Sequence, residues 1–199
     1  MKNQTGGTKP KIILLAAVFA LMPMLAQAHI LPGEPNGFAS GFNHPLHGLD
    51  HILAMVAVGL WAAQLGGRAR WLVPASFVSL MIVGGALGMA GIHLPMVEAG
   101  IVVSVLVLGI FIATAARLPM AASMVVVGLF ALFHGHSHGT EIPAAASGLS
   151  YALGFVLATA ALHGCGVGLG MLAQKQAAAP AIRFAGAAIA LTGICLWLG

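Results

Sequence analysis

The first of two histidine-rich motifs is the run HPLHGLDH at residues 44–51, which opens a long apolar segment. Residues three, four and seven apart share one face of a helix. We therefore expect His44, His47 and His51 to line one stripe, with Asp50 at its edge. Such a polar cluster is energetically unfavourable in an apolar environment, so its presence indicates a function.

The second motif is HGHSHGTE at residues 134–141, at the end of another apolar segment. The same helical spacing predicts that His134, His138 and Glu141 share a face, whereas His136 points elsewhere. An alternative is that HGHSHG is an exposed loop that scavenges metal ions, and this would apply to His136 in particular.

Imidazoles and carboxylates together indicate a site for a divalent transition metal. Neutral imidazole is suited to Ni²⁺, Co²⁺, Zn²⁺ or Cu²⁺, and the oxygen ligands are too few for a Ca²⁺ cage. The carboxylates of Asp50 and Glu141 would balance the charge of a divalent ion. The alternative is that the histidines only stabilise packing. Because a protonated imidazole cannot bind a metal, we expect binding to be pH-sensitive.

The composition is that of an integral membrane protein. Of 199 residues, 60% are hydrophobic and only 6% are charged, whereas soluble domains carry about 25% charged residues. Three of the eight basic residues lie among the first eleven, so no basic patch remains to bind nucleic acid. The two cysteines, Cys165 and Cys195, form no CxxC pair. The sequence also contains no nucleotide-binding motif, so we expect no use of ATP.

Residues 1–28 have the features of a cleavable signal peptide. Three lysines precede the apolar stretch Ile12–Leu25, and Ala26–Ala28 forms a small-x-small cleavage site. Cleavage would leave His29 at the mature N-terminus, where its amine and imidazole could chelate a metal together. The alternative is an uncleaved first transmembrane helix, but the apolar stretch is short beside the roughly 20 residues that a span needs.

Six further apolar segments are each about long enough to cross a bilayer as a helix. They cover residues 44–65, 72–91, 95–116, 119–138, 143–173 and 180–198. We therefore predict an all-α integral membrane protein, with a signal peptide at 1–28 and one six-helix transmembrane domain at 29–199. The sequence leaves open whether this domain forms a homo-oligomer.

The loop charges predict the orientation of these segments. The remaining basic residues lie only between segments 1 and 2, 3 and 4, and 5 and 6, namely Arg68, Arg70, Arg117, Lys175 and Arg183. Such loops face the cytoplasm, so we predict that both mature termini lie outside. Every acidic residue, and every histidine except His163, then falls in the outer half.

Glycines four residues apart permit transmembrane helices to approach each other closely. Such pairs are Gly84 and Gly88, Gly164 and Gly168, and Gly166 and Gly170. We interpret them as packing positions. The fifth segment holds two of these pairs together with His163, so we expect an ion that moves inward to pass His163.

The two motifs resemble those of the HupE/UreJ family of nickel/cobalt permeases. The resemblance includes HPLHGLDH preceded by GF at 41–42, FHGHSHGTE at 133–141 and the signal peptide, and it covers essentially the whole chain. It implies secondary uptake of Ni²⁺ or Co²⁺ as cargo, without a permanent cofactor, for delivery to hydrogenase or urease maturation. It also implies that His44, Asp50 and His51 take part in transport.

These observations together predict a permease in a bacterial inner membrane that takes up Ni²⁺ or Co²⁺. We expect a site between the first and fourth segments, with capture by outer histidines and passage along the fifth segment. The candidate metal-binding residues are His29, His44, His47, Asp50, His51, His134, His136, His138, Glu141 and His163.

Two other classes of protein also need metal-binding side chains in a membrane. One is an intramembrane enzyme such as a hydrolase with a Zn²⁺-bound water, but the sequence has no HExxH motif. The other is a membrane-anchored metal sensor or chaperone, for which the loops are too short to hold a docking domain. The sequence does not decide between passive and proton-coupled transport.

Overall fold

A computed structural model describes residues 37–142 and 148–199, and this part of the chain contains helices and no strand. The helices are α1 (Gly37–Asn43), α2 (Leu49–Leu65), α3 (Ala69–Met89), α4 (Val97–Thr114), α5 (Met120–Thr140), α6 (Gly148–Lys175) and α7 (Ala179–Leu198), with a 3-10 turn at His44–Leu46. The predicted signal peptide and His29 lie outside the described residues.

Helices α3 to α7 are each long and apolar enough to cross a membrane. The pair formed by Gly37–Leu46 and Leu49–Leu65 also passes this test, but it is bent by 80°. The described chain therefore has five candidate spans, or six if the bent pair is one span. Large apolar side chains such as Leu129 and Phe184 are exposed on these helices. The protein is a multi-pass membrane protein, as the composition predicts.

The prediction of one continuous helix over residues 44–65 is wrong, because α2 begins only at Leu49. Pro45 has no backbone N–H and restricts the residue before it, so it favours a short turn over an α-helix. Gly48 is extended, with φ −93° and ψ 117°, and it ends the turn. The first motif therefore lies at a bend, and its histidines do not form one helical stripe.

The most extensive helix pairs are α3 with α5, α4 with α7 and α2 with α6. Glycines make the first of these close. A Cβ atom at Gly88 would lie 2.5 Å from the carbonyl oxygen of His136, and one at Gly135 would collide with the carbonyl oxygen of Met81. Because Gly135 turns towards α3, the neighbouring face of α5, which carries His134 and His138, is free to face α2 and α6.

Glycines also bring α2 and α6 together, but only some of the α6 glycines that the sequence predicts to be packing positions do so. A Cβ atom at Gly166 would lie 2.9 Å from the Cα of Gly59. By contrast, a Cβ atom at Gly164 or Gly168 would meet nothing within 4 Å. The interpretation of Gly164 and Gly168 as packing positions is therefore wrong within the described structure, because they lie on the side of α6 that faces away from its neighbours.

Polar contacts join the helix ends far from the two histidine motifs. Gln174 Nε2 donates to the carbonyl of Ala63 at 2.8 Å, and Arg183 Nε donates to the carbonyl of Ala113 at 2.8 Å. Ends of α2, α4, α6 and α7 thus meet close to Arg117. The basic residues and the histidine motifs consequently occupy opposite ends of the bundle.

Gly135→Ala should destabilise the protein although it changes no polar side chain. The new methyl group would meet the α3 backbone, which cannot move like a flexible side chain, so we expect the free energy of unfolding to fall by about 1–3 kcal/mol. Thermal unfolding of the purified protein in detergent measures this. Gly164→Ala is the matched control and should leave the transition unchanged; equal transitions for both variants would contradict this packing.

Candidate metal centre

The two histidine motifs meet in the folded chain, and His138 is the point of contact. Its Nδ1 lies 2.9 Å from Nε2 of His44, and its Nε2 lies 3.0 Å from Nδ1 of His51. His44 belongs to the turn before the bend and His51 to the first turns of α2. The bend therefore lets two residues of one motif approach opposite edges of a single imidazole on α5.

The outer group consists of three atoms that are mutually in contact: His44 Nε2, His138 Nδ1 and Glu141 Oε2. The nitrogens lie 2.9 and 3.1 Å from the carboxylate oxygen and 2.9 Å from each other. A divalent ion bound at about 2.1 Å holds neighbouring ligand atoms about 3.0–3.4 Å apart. The outer group therefore has the size of one face of a coordination shell.

Glu141 supplies the negative charge of the outer group. The hydrogen bond from His138 lowers the pKa of the Glu141 carboxyl to about 2, with partial burial opposing this and His44 lowering it further. The side chain is ionised at neutral pH and remains 47% exposed. A cation that arrives from solvent can therefore reach a charged ligand before it loses much of its hydration.

The inner group consists of His51, His134 and His138. Nδ1 of His51 lies 3.2 Å from Nδ1 of His134 and 3.0 Å from Nε2 of His138, and the three ligand atoms lie within 4.8 Å of one another. His51 and His134 are only 1% and 0% exposed. This group offers three imidazoles in a dry environment, without a carboxylate.

Ser104 on α4 fixes the orientation of His134, a role that no motif or spacing in the sequence indicates. The hydroxyl donates to the carbonyl of Ile101 at 2.6 Å and lies 2.9 Å from Nε2 of His134. Because the Ser104 hydroxyl hydrogen is donated to Ile101, its oxygen accepts the hydrogen of His134 Nε2. The lone pair of His134 is therefore on Nδ1, which faces His51. Such support of a ligand histidine by a second residue is typical of metal sites.

Aromatic rings enclose the outer and inner groups, which together are called the metal centre below. The ring of Phe155 on α6 packs against His138 at a centroid distance of 4.7 Å and against His51 at 5.3 Å. Tyr151, one turn earlier, packs against His44 at 5.8 Å. These rings limit the access of water and lower the local dielectric, which strengthens the interaction of an ion with its ligands.

Four other candidates from the sequence lie outside both groups. His47 is exposed and bonds the carbonyl of Asn43, and Asp50 occupies the first turn of α2 with its carboxylate close to Gly48. Nε2 of His136 bonds the carbonyl of Ile92 at 2.7 Å.

The fourth, His163, bonds the carbonyl of Met55 from α6. The structure thus brings together His44, His51, His134, His138 and Glu141, and leaves His47, Asp50, His136 and His163 apart from them.

The fold and the histidine–carboxylate cluster define a helical membrane protein with a candidate metal centre at one end of the described bundle. A family model described as "HupE / UreJ protein" matches residues 16–196. The chain is also 47% identical over 189 residues to "Protein HupE" of Rhizobium leguminosarum bv. viciae, which covers 95% of this chain and 98% of that protein. The chain belongs to the HupE/UreJ family, which confirms the resemblance. No solved structure matches it.

Membership of this family assigns the broad class of activity. The family is one of transporters rather than enzymes, so the chain has a role in nickel or cobalt transport. Nothing in the comparisons favours the intramembrane hydrolase.

Ser104→Ala should weaken metal binding without removing a ligand. Loss of the hydroxyl frees His134 to adopt the other tautomer, and we expect the Kd for Ni²⁺ to rise about 10–100-fold. Calorimetric titration of the purified protein measures this. Ser79→Ala is the matched control, because among the described residues the Ser79 hydroxyl bonds only the carbonyl of Ala75. An unchanged Kd in both variants would rule out the positioning role.

Proposed function

We propose that the protein is a secondary transporter that takes up Ni²⁺, and also Co²⁺, across the bacterial inner membrane. The metal centre lies at the outer end, the basic loops face the cytoplasm, and both mature termini are outside. The ion binds first to the outer group and then to the inner group. It is delivered inside to the maturation proteins of an enzyme such as hydrogenase or urease.

The observation that carries this proposal is the graded burial of one continuous series of ligands. Side-chain exposure falls from 47% at Glu141 through 33% at His44 and 17% at His138 to 1% and 0% at His51 and His134. A resident structural metal needs one closed set of ligands. A series that leads from solvent into the bundle favours movement of the ion instead.

His138 links the two groups and permits stepwise transfer. A neutral imidazole has one protonated and one unprotonated nitrogen, so His138 can offer a lone pair to only one group at a time. When the ion moves from Nδ1 to Nε2 of His138, the ring proton must therefore move from Nε2 to Nδ1. Two adjacent sites of moderate strength suit a transporter, because an ion must bind and also leave.

The polar residues outside the two groups are proposed to serve the approach of the ion. Asp50 adds a negative charge next to His51, and His47 presents an imidazole to solvent at the bend. His29, at the N-terminus after removal of residues 1–28, and His136 provide further nitrogens on the outer side. Electrostatic attraction by such groups raises the local concentration of a cation.

His138→Ala should abolish uptake, because it removes a ligand from both groups at once. We expect the initial rate of radiolabelled Ni²⁺ uptake into proteoliposomes to fall at least about tenfold. The matched control is His93→Ala, which removes an exposed imidazole outside both groups and should retain uptake. If His138→Ala transports at the wild-type rate with equal amounts of protein inserted, the proposed path is wrong.

A further inference from the structure

The buried face of α6 continues past the metal centre towards the basic end. Three buried residues follow one another on this face, one helical turn apart: Phe155, Thr159 and His163. Phe155 packs against the metal centre, whereas His163 lies two turns, or about 12 Å, further along the helix axis. On the facing helix α2, the partner of His163 is Met55, one turn beyond His51. His163 therefore lies deeper in the bundle than the inner group.

His163 has the orientation of a metal ligand. Its Nδ1 lies 2.8 Å from the carbonyl oxygen of Met55, and a carbonyl only accepts, so Nδ1 carries the hydrogen. The lone pair is therefore on Nε2, which is buried without a partner in the described part of the chain. Metal-binding histidines commonly donate their other nitrogen to a backbone carbonyl in this way.

Thr159 is a second buried polar group without a partner on this face. Hydroxyls within helices usually bond the carbonyl of the preceding turn, as Thr114 and Thr192 do here. The hydroxyl of Thr159 is buried and makes no such bond within the described residues. A buried polar group that lacks a partner is destabilising. Thr159 and His163 lie one turn apart on this face, so a single bound species would satisfy both.

One aromatic ring contacts both this position and the metal centre. Phe77 of α3 is completely buried, and its ring lies 5.8 Å from that of His134 and 5.1 Å from that of His163, between centroids. A hydrated or partly liganded ion cannot pass an apolar ring that fills the space. Hydrophobic constrictions of this kind act as gates in channels.

We infer that His163 and Thr159 form a deeper binding site for the divalent ion, beyond the inner group. Phe77 is then the gate between this deeper site and the metal centre. The inference rests on the proposed transport function and adds a third binding step to it. The ion leaves the three imidazoles of the inner group, passes the displaced ring and binds Nε2 of His163 and the hydroxyl of Thr159.

The accessibility of position 163 from the outer side tests the gate. The starting variant for this experiment, called the parent, has the substitution His163→Cys. It also has Cys165→Ser and Cys195→Ser, and these two changes remove the native thiols. In outward-facing proteoliposomes, we expect a small, membrane-impermeant methanethiosulfonate reagent to label the parent slowly and the Phe77→Ala variant at least about tenfold faster. Phe77→Leu, a smaller change that protects folding, should give an intermediate rate.

Phe111→Ala is the control for loss of a packed aromatic ring elsewhere in the bundle. Phe111 packs against Trp61 at 4.8 Å, away from the metal centre, and its variant should label at the parent rate. Labelling of the Phe77 variants within twofold of the parent would overturn the gate. Acceleration in Phe111→Ala as large as in Phe77→Ala would also overturn it, because loosened packing would then explain the result.

His163→Ala tests the deeper site, formed by His163 and Thr159, in an otherwise unchanged chain. We expect the Kd for Ni²⁺ at the metal centre to stay within twofold, while the initial uptake rate falls at least tenfold. Unchanged uptake, or a parallel loss of binding and uptake, would show that His163 only joins α6 to α2. If the wild-type protein moves no Ni²⁺, the proposed function itself fails; if it does and these variants behave as their controls, only the present inference fails.

Discussion

The two nitrogens of the partly buried His138 imidazole each have a partner, and both partners come from the first motif. Nδ1 contacts His44 and Nε2 contacts His51. Gly135 packs α5 closely against α3, which leaves the neighbouring face of α5 with His138 turned towards α2. The bend at Gly48 lets one motif reach both edges of the ring. The helix packing and the broken first segment are therefore both conditions of the metal centre.

In the proposed transport path, the same arrangement would let a strongly apolar protein bind a cation and also release it. Charge is concentrated at the exposed end, where Glu141 is ionised, and the deeper ligands are neutral imidazoles. An ion thus gives up water in steps as it gains nitrogen ligands. Because the inner group has no carboxylate, it does not hold the ion as firmly as a charged, closed site would, and onward movement towards the basic end remains open.

The sequence predicted those parts of the structure that depend on local pattern. Helices α3 to α7 follow from long apolar runs, and the shared face of His134 and His138 follows from their spacing on one helix. The bend was missed because helical periodicity was extended across Pro45 and Gly48. The roles of Ser104 and Phe77 could not be predicted, since a lone hydroxyl or ring in an apolar helix does not reveal which side chain it faces across the bundle.

X-ray absorption at the nickel edge of the purified, Ni²⁺-loaded protein tests most directly whether the two motifs hold one ion together. The account predicts one ion per chain with scattering from at least two imidazoles. That scattering should weaken both in His138→Ala and in a double variant that carries His44→Ala and His51→Ala. A nickel spectrum and stoichiometry that stay unchanged in the double variant would contradict the account, because the second motif would then bind the ion alone.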